Sequence, residues 1–290
     1  MPSNNSNDTP SSVTDPAASS DTTTASQATP TDPRSNPQDA SNPKPTDPFT
    51  AFRITDPSPI SHLYTQPRLK CPQCNKGYKI YCPRCGIPLG HEPPKVELPI
   101  KVICYRDPRE VEAKSTSAHA QILAKGNVTV VVENVIQSPE TSSISSLPHP
   151  EKVLLLFPSP TALPLSEIPN LAAFDRLIVL DGTWKQGRAM AGAIKGVQFQ
   201  HVAIQERSTL FWRYQPFGET HLSTIEALYW FFRDYFDAMK DKGEEEYDGR
   251  FDDLLYYFRL QWGLIQDVYR ADTGKRFTQR KLDAKDYIRY

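Results

Sequence analysis

Four cysteines lie in two closely spaced pairs, Cys71-x-x-Cys74 and Cys82-x-x-Cys85. Each pair can present two thiolates to one tetrahedral metal ion, and the seven residues between the pairs allow a hairpin that brings the four sulfurs together. The spacing therefore predicts a zinc site with four cysteine ligands. Because four ligands leave no open coordination position, we expect a structural zinc; buried free thiols and a redox C-x-x-C motif are the alternatives.

Cations and aromatic rings surround these cysteines. The cations are Arg68, Lys70, Lys76, Lys79 and Arg84, and the rings are those of Tyr78 and Tyr81. Cations interleaved with aromatic rings suit an RNA-binding surface, while an ordinary solvated basic face is an equally good interpretation. The fifth cysteine, Cys104, has no neighbouring cysteine, and we expect it to be a small core residue.

A second candidate for chemistry is Asp181, which ends the apolar run RLIVLD. A carboxylate at the carboxyl end of a buried parallel strand lies where α/β proteins bind their ligands. Asp181 or Thr183 is also a favourable N-cap for the helix that follows, and Trp184 can stack on a ligand or fill the core. From these residues alone, capping is the favoured role for Asp181.

No glycine-rich phosphate-binding motif accompanies this carboxylate. The chain has neither a G-x-G-x-x-G after a strand nor a Walker A sequence, which disfavours an ordinary Rossmann dinucleotide or methyltransferase site. His119 follows Ser115 and Thr116 in a polar loop. Contact with phosphate or substrate and a structural role are both open for this histidine.

Strands and helices must position these residues. Strands are predicted at residues 98–104, 127–135, 153–157, 176–181, 197–204 and 209–214, where apolar or β-branched residues cluster. Helices are predicted within residues 114–124, 165–174, 183–194, 223–236 and 250–270, and residues 138–150 are predicted to form a flexible surface loop. Ser223 and Glu226 form an S-x-x-E capping box. Strands that are apolar on both faces indicate a parallel sheet covered by helices, within an α/β core.

Residues 1–60 are predicted to be a disordered tail. The first 48 residues contain nine prolines and many Ser, Thr and Asp, so they cannot bury enough apolar surface to offset the entropy lost on ordering. The tail has no apolar core of a secretory signal and is too acidic for a transit peptide. No run approaches the roughly 18 apolar residues of a membrane span, so we expect a soluble protein in a reducing compartment.

Several motifs together resemble the DTW-domain family of tRNA-uridine aminocarboxypropyltransferases, in particular its eukaryotic branch. They are LDGTW, the proline-ended strand LFPSP, the FWRYQP segment, the helix start HLSTIEALYWF and the two C-x-x-C pairs. The similarity covers roughly residues 70–270 in the family's order. Two features depart from the family: Gly187 stands where many relatives have Ala, and residues 114–119 lack the Asn-Thr-Gly common in bacterial relatives.

The resemblance implies a fold and a reaction. The fold is an α/β, SPOUT-like sheet with a C-terminal trefoil knot, preceded by a four-cysteine zinc knuckle and the disordered tail. The implied domains are the knuckle at residues 66–92, a catalytic DTW domain at 96–272 and a C-terminal tail at 273–290. The reaction transfers the 3-amino-3-carboxypropyl group of S-adenosylmethionine to N3 of a uridine in tRNA, in the D-loop, and releases 5′-methylthioadenosine.

The resemblance also implies roles for individual residues. Asp181 is the expected general base for the uridine N3 proton, or it orients the uracil edge or the cofactor amine. The S-adenosylmethionine site is expected to comprise Leu156, Phe157, Pro158, Ser159, Leu180, Gly182, Thr183, Trp184, Leu222, Ser223 and Thr224. RNA or substrate contacts are expected from Lys114, Ser115, His119, Lys185, Arg188 and Arg213, and zinc ligation from Cys71, Cys74, Cys82 and Cys85.

Two other functions are compatible with these features. One is a zinc-dependent RNA-binding or assembly protein without turnover, and the other is the same group transfer on ribosomal RNA. The expected location is the nucleus or the cytoplasm, with no membrane partner. The oligomeric state, including a monomer, stays open.

Overall fold

The computed structural model describes residues 47–213, 218–240 and 246–274. Most of the predicted N-terminal tail and nearly all of the predicted C-terminal tail lie outside these residues. The prediction of disorder is wrong for residues 47–60. Phe49 is only 1 % exposed and its ring packs against Trp262, with 5.3 Å between centroids. This segment folds because its apolar side chains reach the core, unlike those of the proline-rich sequence before it.

Two short antiparallel hairpins form the knuckle. β1 (Leu69–Lys70) pairs with β2 (Gly77–Tyr78), and β3 (Tyr81–Cys82) pairs with β4 (Ile87–Pro88). Ile80, between the two hairpins, is buried in the main hydrophobic core. The knuckle is therefore packed against the rest of the fold rather than carried on a free linker.

The centre of the fold is a six-stranded parallel sheet. Its strands are β5 (Lys101–Arg106), β6 (Val128–Val132), β7 (Val153–Leu156), β8 (Leu163–Pro164), β9 (Arg176–Asp181) and β10 (Gln200–Ala203), in the spatial order β6-β5-β9-β7-β10-β8. All neighbouring strands pair in parallel. The predicted α/β class with a parallel sheet is confirmed, and β9 begins and ends where the sequence indicated.

Helices cover both faces of the sheet. They are α1 (Ser117–Leu123), α2 (Trp184–Ala193), α3 (Thr224–Met239) and α4 (Tyr256–Ala271). Leu177 and Val179 of β9 share one core cluster with α1, α3 and α4, whereas Ile178 and Leu180 share a second with Met190 of α2. Alternate side chains of one strand thus enter opposite apolar layers, which explains why β9 is apolar throughout.

Several predicted elements differ from the structure. Residues 209–213 form a loop instead of a strand, because Leu210 N and the Thr209 hydroxyl bond to the Glu226 carboxylate rather than to a neighbouring strand. The predicted helix at 165–174 is two 3₁₀ turns, Leu165–Glu167 and Leu171–Ala173, separated by Pro169 and by Asn170 at a φ of 51°.

The remaining differences concern a strand start and a loop. β5 begins at Lys101 instead of residue 98, since Pro99 lacks a backbone donor for the ladder. The predicted surface loop at 138–150 turns inward at Ile144, which is fully buried. The trefoil knot stays a prediction. Among the described residues, no helix is both long and apolar enough to span a membrane.

Candidate active site and metal centre

The four cysteine sulfurs of the knuckle all lie within 4.8 Å of one another. Cys74 Sγ is 3.6 Å from Cys82 Sγ. Four ligands at a Zn–S distance of about 2.3 Å on a tetrahedron would be roughly 3.8 Å apart, so the donor set and its spacing can hold one metal ion. The two hairpins bring the pairs together, as the sequence spacing indicated.

A glycine allows the knuckle to approach α1. Gly86 has a φ of 63°, and a Cβ at this position would lie 2.7 Å from Cδ of Gln121. Any larger residue would therefore have to displace the Gln121 side chain as well as adopt a left-handed backbone. Gly86 thus lets the turn that carries Cys82 and Cys85 lie close to α1.

His119 of α1 links the knuckle to the core. Its Nε2 lies 2.8 Å from the hydroxyl of Tyr81, which also accepts a 2.8 Å hydrogen bond from Gln261 Nε2. His119 is 1 % exposed, and burial, followed by the charge of Arg213, lowers its pKa from 6.5 to about 3. A neutral ring enclosed in protein cannot reach RNA. The predicted RNA or substrate contact for His119 is wrong, and the structural alternative holds.

Asp181 is fixed by three side-chain hydroxyls. Its Oδ2 accepts hydrogen bonds from Ser115 Oγ at 2.5 Å and from Ser117 Oγ at 2.8 Å. Its Oδ1 accepts one from Thr224 Oγ1 at 2.6 Å. The carboxylate is 2 % exposed, at the carboxyl end of β9. It therefore ties together the loop before α1 and the first turn of α3.

The helix after Asp181 is capped by another residue. Thr183 Oγ1 accepts from Gln186 N at 3.3 Å, and Gln186 Oε1 accepts from Thr183 N at 2.6 Å, which completes a capping box for α2. The favoured capping role of Asp181 is therefore wrong. Its partners come from residues 66, 64 and 43 positions away in the chain, and the sequence contained no signal for these contacts.

A cavity of about 430 Å³ opens beside the Asp181 cluster. Its walls come from the ends of three strands and the loops that follow them. From the predicted S-adenosylmethionine site it includes Leu156, Phe157, Pro158, Leu180, Gly182, Thr183, Trp184, Leu222 and Thr224. Three segments remote in sequence thus converge on one space of small-molecule size.

Two residues of that predicted set lie outside the cavity wall. Ser223 is the N-cap of α3 and its hydroxyl bonds to Glu226 at 2.7 Å. Ser159 Oγ lies 3.2 Å from Thr161 Oγ1 in an exposed turn. Both hydroxyls therefore bond to neighbouring side chains, and neither residue lines the cavity.

Aromatic rings form one side of the cavity. Trp184 lies 6.2 Å from Phe157 and 4.4 Å from His221, measured between ring centroids. Gly187, on the same helix as Trp184, comes within 3.1 Å of Phe157 Cε2 if a Cβ is placed on it. The absence of a side chain at Gly187 therefore lets the Phe157 ring lie against α2, which gives this departure from the family a packing reason.

Sequence reasoning missed the part of the cavity wall that is formed by the residues after β10. Ile204, Gln205, Glu206 and Arg207 line the cavity there. The α3 carboxylate of Asp234 holds this segment: it accepts from Gln205 N at 2.9 Å and from Arg207 Nη2 at 2.7 Å. Because these partners lie 27 and 29 positions apart, no local motif could have indicated them.

The remaining predicted RNA contacts occupy different environments. Lys114, Lys185 and Arg188 are exposed. Arg213 is half-buried, and its Nη1 donates to the carbonyl oxygen of Lys114. Ser115 is 6 % exposed and bonds to Asp181, so the predicted RNA contact is wrong for this serine in the structure as it stands.

Most of the chain is similar to one family of known proteins. A family model for the DTW domain matches residues 79–265. tRNA-uridine aminocarboxypropyltransferase 1 of Xenopus tropicalis is 29 % identical to this chain, over 70 % of this chain and 81 % of the relative. The proteins of that name from Mus musculus and Homo sapiens are 27 % and 26 % identical, over 69 % and 79 % of this chain and 78 % and 88 % of the relatives. No solved structure shows a significant match.

Proposed function

The chain belongs to the DTW-domain family, and we propose that it transfers the 3-amino-3-carboxypropyl group of S-adenosylmethionine to N3 of a uridine in tRNA. Relatives at 26–29 % identity are named for this class of reaction. The acceptor we propose is a uridine of the D-loop, because a base in a loop can be exposed to an enzyme.

One observation carries the proposal. The cavity of about 430 Å³ falls in the size range of small-molecule sites and is lined by Trp184 and Phe157, next to a fixed carboxylate cluster. Aromatic faces suit both an adenine ring and the positive charge of a sulfonium. The α/β sheet places this cavity at the carboxyl ends of its strands, where such folds bind ligands.

The proposed reaction follows from the electrophilicity of a sulfonium. Its three attached carbons can all be attacked, so the geometry of binding must select one of them. Attack of uridine N3 on the methionine γ-carbon forms the new C–N bond and breaks the C–S bond, whose electron pair stays on sulfur in 5′-methylthioadenosine. N3 must also lose its proton, because the neutral imide nitrogen has no free lone pair in the ring plane.

For Asp181 the geometry favours the orienting role over the basic one. The carboxylate is buried, and it accepts a hydrogen bond from the hydroxyl of Thr224, a residue that lines the cavity. It also fixes Ser115 and Ser117. We therefore infer that Asp181 is a positioning residue: it fixes the first turn of α3 against the cavity, and with it the substrate-binding wall.

The metal in the knuckle is proposed to be a structural zinc. Four thiolates are a donor set that zinc prefers, and they leave no position for a substrate. Lys114, Lys185 and Arg188, which are exposed, are proposed to contact the tRNA backbone, together with Arg213.

The test is incubation of the purified protein with S-adenosylmethionine and unmodified tRNA, followed by mass spectrometry of the nucleosides. We expect release of 5′-methylthioadenosine and a 3-amino-3-carboxypropyl group on N3 of one uridine. S-adenosylhomocysteine would instead indicate methyl transfer. tRNA binding without any product would favour the non-catalytic RNA-binding function, and product formed only on ribosomal RNA would identify that RNA as the acceptor.

A further inference from the structure

A half-exposed carboxylate, Glu110, lies on the loop that leads from β5 to the Asp181 cluster. We infer that Glu110 is the base that accepts the N3 proton of the acceptor uridine. The inference rests on the proposed transfer reaction and adds its proton acceptor, which differs from the residue that the family motif suggests.

The loop after β5 holds Glu110 at the same edge of the sheet as Asp181. Asp107 N donates to the carbonyl oxygen of Asp181 at 3.0 Å, so the pairing of β5 with β9 continues into the loop. Glu110 N then closes a turn on the carbonyl oxygen of Asp107 at 2.9 Å. The same loop returns through Ser115 and Ser117 to the Asp181 carboxylate. Because both ends of the loop are bonded to Asp181, Glu110 cannot move far from it.

The loop also borders the cavity. A Cβ on Gly182, a residue of the cavity wall, would lie 3.6 Å from Cβ of Asp107. The turn that carries Glu110 therefore begins next to a residue of the cavity wall. In the proposed complex the acceptor uracil lies over this loop, beside the proposed cofactor site.

Four charged groups act on the Glu110 side chain. They are the carboxylate of Asp181 and the cations of Arg213, Lys114 and Arg106. Burial, followed by the charge of Asp181, raises the pKa of Glu110 above its ordinary value, against the effect of the three cations. A raised pKa brings a carboxylate closer to the operating pH of the enzyme, which favours its use as a general base.

An orphaned donor points to a polar ligand at this edge. Arg106 is 2 % exposed, and its Nη1 has no hydrogen-bond partner within the part of the chain that the structure describes. A buried donor of this kind is costly unless a ligand or water satisfies it.

Other nearby carboxylates are less suited to the task. Asp181 already accepts three hydroxyl hydrogen bonds and is 2 % exposed. Both oxygens of Asp107 are bonded to Arg109, at 2.9 and 2.7 Å, which holds the pKa of Asp107 below its usual range. Glu206, the one carboxylate among the described residues lining the cavity, lies in the space proposed for S-adenosylmethionine.

The proton and electron balance is simple. The N3–H bond electrons remain on nitrogen as the proton passes to a carboxylate oxygen of Glu110. N3 uses a lone pair to bond to the γ-carbon, and the C–S electron pair neutralises the sulfonium. The protonated Glu110 returns its proton to solvent after the product leaves, so the cycle needs no further reactant.

The experiment compares Glu110→Gln with a matched control, Glu112→Gln, which removes a carboxylate two residues away. Single-turnover release of 5′-methylthioadenosine is measured across pH with saturating S-adenosylmethionine and tRNA. We expect Glu110→Gln to lower the rate about 100-fold at neutral pH and to abolish the acidic limb of the pH–rate profile. The Kd values for tRNA and S-adenosylmethionine and the thermal midpoint should stay at wild-type values, and Glu112→Gln should behave as wild type.

Chemical rescue supplies a second readout. Formate or acetate added to Glu110→Ala should restore part of the rate, because a small carboxylate can occupy the space left by the side chain. A purely structural role would not respond to these ions. Wild-type rate and pH profile in Glu110→Gln would overturn the inference, as would loss of the acidic limb in Glu206→Gln or Asp181→Asn instead. A wild-type protein that releases no 5′-methylthioadenosine would defeat the proposed function, and this inference with it.

Discussion

Two buried aspartates make a useful comparison, because each is 2 % exposed and each accepts three hydrogen bonds. Asp181 accepts from the hydroxyls of Ser115, Ser117 and Thr224 at the carboxyl edge of the sheet. Asp252 accepts from Tyr229 and Tyr247 at 3.0 and 2.9 Å, and from Arg53 N at 2.6 Å. It lies in the helical layer and joins the N-terminal segment to α3.

The difference lies in what each carboxylate supports. Thr224, held by Asp181, lines the cavity, whereas none of the three partners of Asp252 does. Burial and hydrogen bonding therefore do not distinguish Asp181, which supports the cavity wall, from Asp252, which supports the core. We expect that contact with the wall of the cavity distinguishes them, and the following experiments test that expectation.

The largest expected effect is on catalysis by Asp181→Ala. We expect the rate of 5′-methylthioadenosine release to fall about 100-fold, since the first turn of α3 and the loop before α1 lose their common anchor. The free energy of unfolding should fall by only about 1–2 kcal/mol, because the hydroxyls of Ser115 and Ser117 can still bond to each other. Activity assays and urea denaturation on the same preparation would check both values. An active variant would remove Asp181 from the mechanism.

Asp252→Ala should show the opposite pattern. The phenol hydroxyls of buried Tyr229 and half-buried Tyr247 and the Arg53 N–H would lose their acceptor, and we expect the free energy of unfolding to fall by about 3 kcal/mol. The rate per folded molecule should stay within about threefold of wild type. Urea denaturation measures the free energy of unfolding, and active-site titration gives the rate per folded molecule. A specific loss of rate in a fully folded variant would break the comparison.

His119 extends the comparison to a buried base that follows Ser117, a partner of Asp181, by two residues and bonds to Tyr81 of the knuckle. Its folded pKa of about 3 lies below the ordinary 6.5, so the unfolded chain takes up the proton first as the pH falls. Stability contributed by this residue is complete above 6.5 and is lost toward pH 3, at up to about 1.4 kcal/mol per pH unit. Urea denaturation at about pH 7 and about pH 5.5 should show a smaller pH-dependent loss in His119→Gln than in wild type. An equal loss in both proteins would show that His119 is not the titrating group.

The smallest effects come from removing one hydroxyl at each aspartate. Thr224→Val keeps the shape of the side chain and should lower the transfer rate about tenfold with little change in stability. Tyr247→Phe should lower the free energy of unfolding by about 1 kcal/mol and leave the rate unchanged. Both variants need the same two assays. If the two variants changed the transfer rate and the free energy of unfolding by equal amounts, the two carboxylates would not differ in role.

Much of the fold could be predicted from local patterns. β9, the capping box at Ser223 and Glu226, and the four-cysteine cluster are all set by residues that are near one another in the chain. The strand predicted at 209–214 is not formed at 209–213, where Leu210 N bonds to the carboxylate of Glu226, a residue of the following helix, instead of to a neighbouring strand. Propensity alone cannot anticipate a tertiary acceptor of this kind.

The candidate site was predicted less completely. Nine of the eleven residues proposed for S-adenosylmethionine line the cavity, but they came from a family resemblance, and their role stays a prediction. The wall after β10 was missed because Asp234 holds it from the third turn of α3. Glu110 was missed because nothing around it in the sequence indicates that it lies beside Asp181.

Local sequence patterns were enough to predict the class of the fold, the four candidate metal ligands and the family. These depend on periodicity, on the spacing of cysteines and on short motifs, all of which act over a few residues. Three features became visible only in the folded chain: Thr183 caps α2, Asp181 accepts from three hydroxyls, and His119 is a buried neutral ring. The physical reason is that hydrogen bonding and desolvation depend on partners brought together by folding, and the partners of Asp181 lie 43 to 66 residues away.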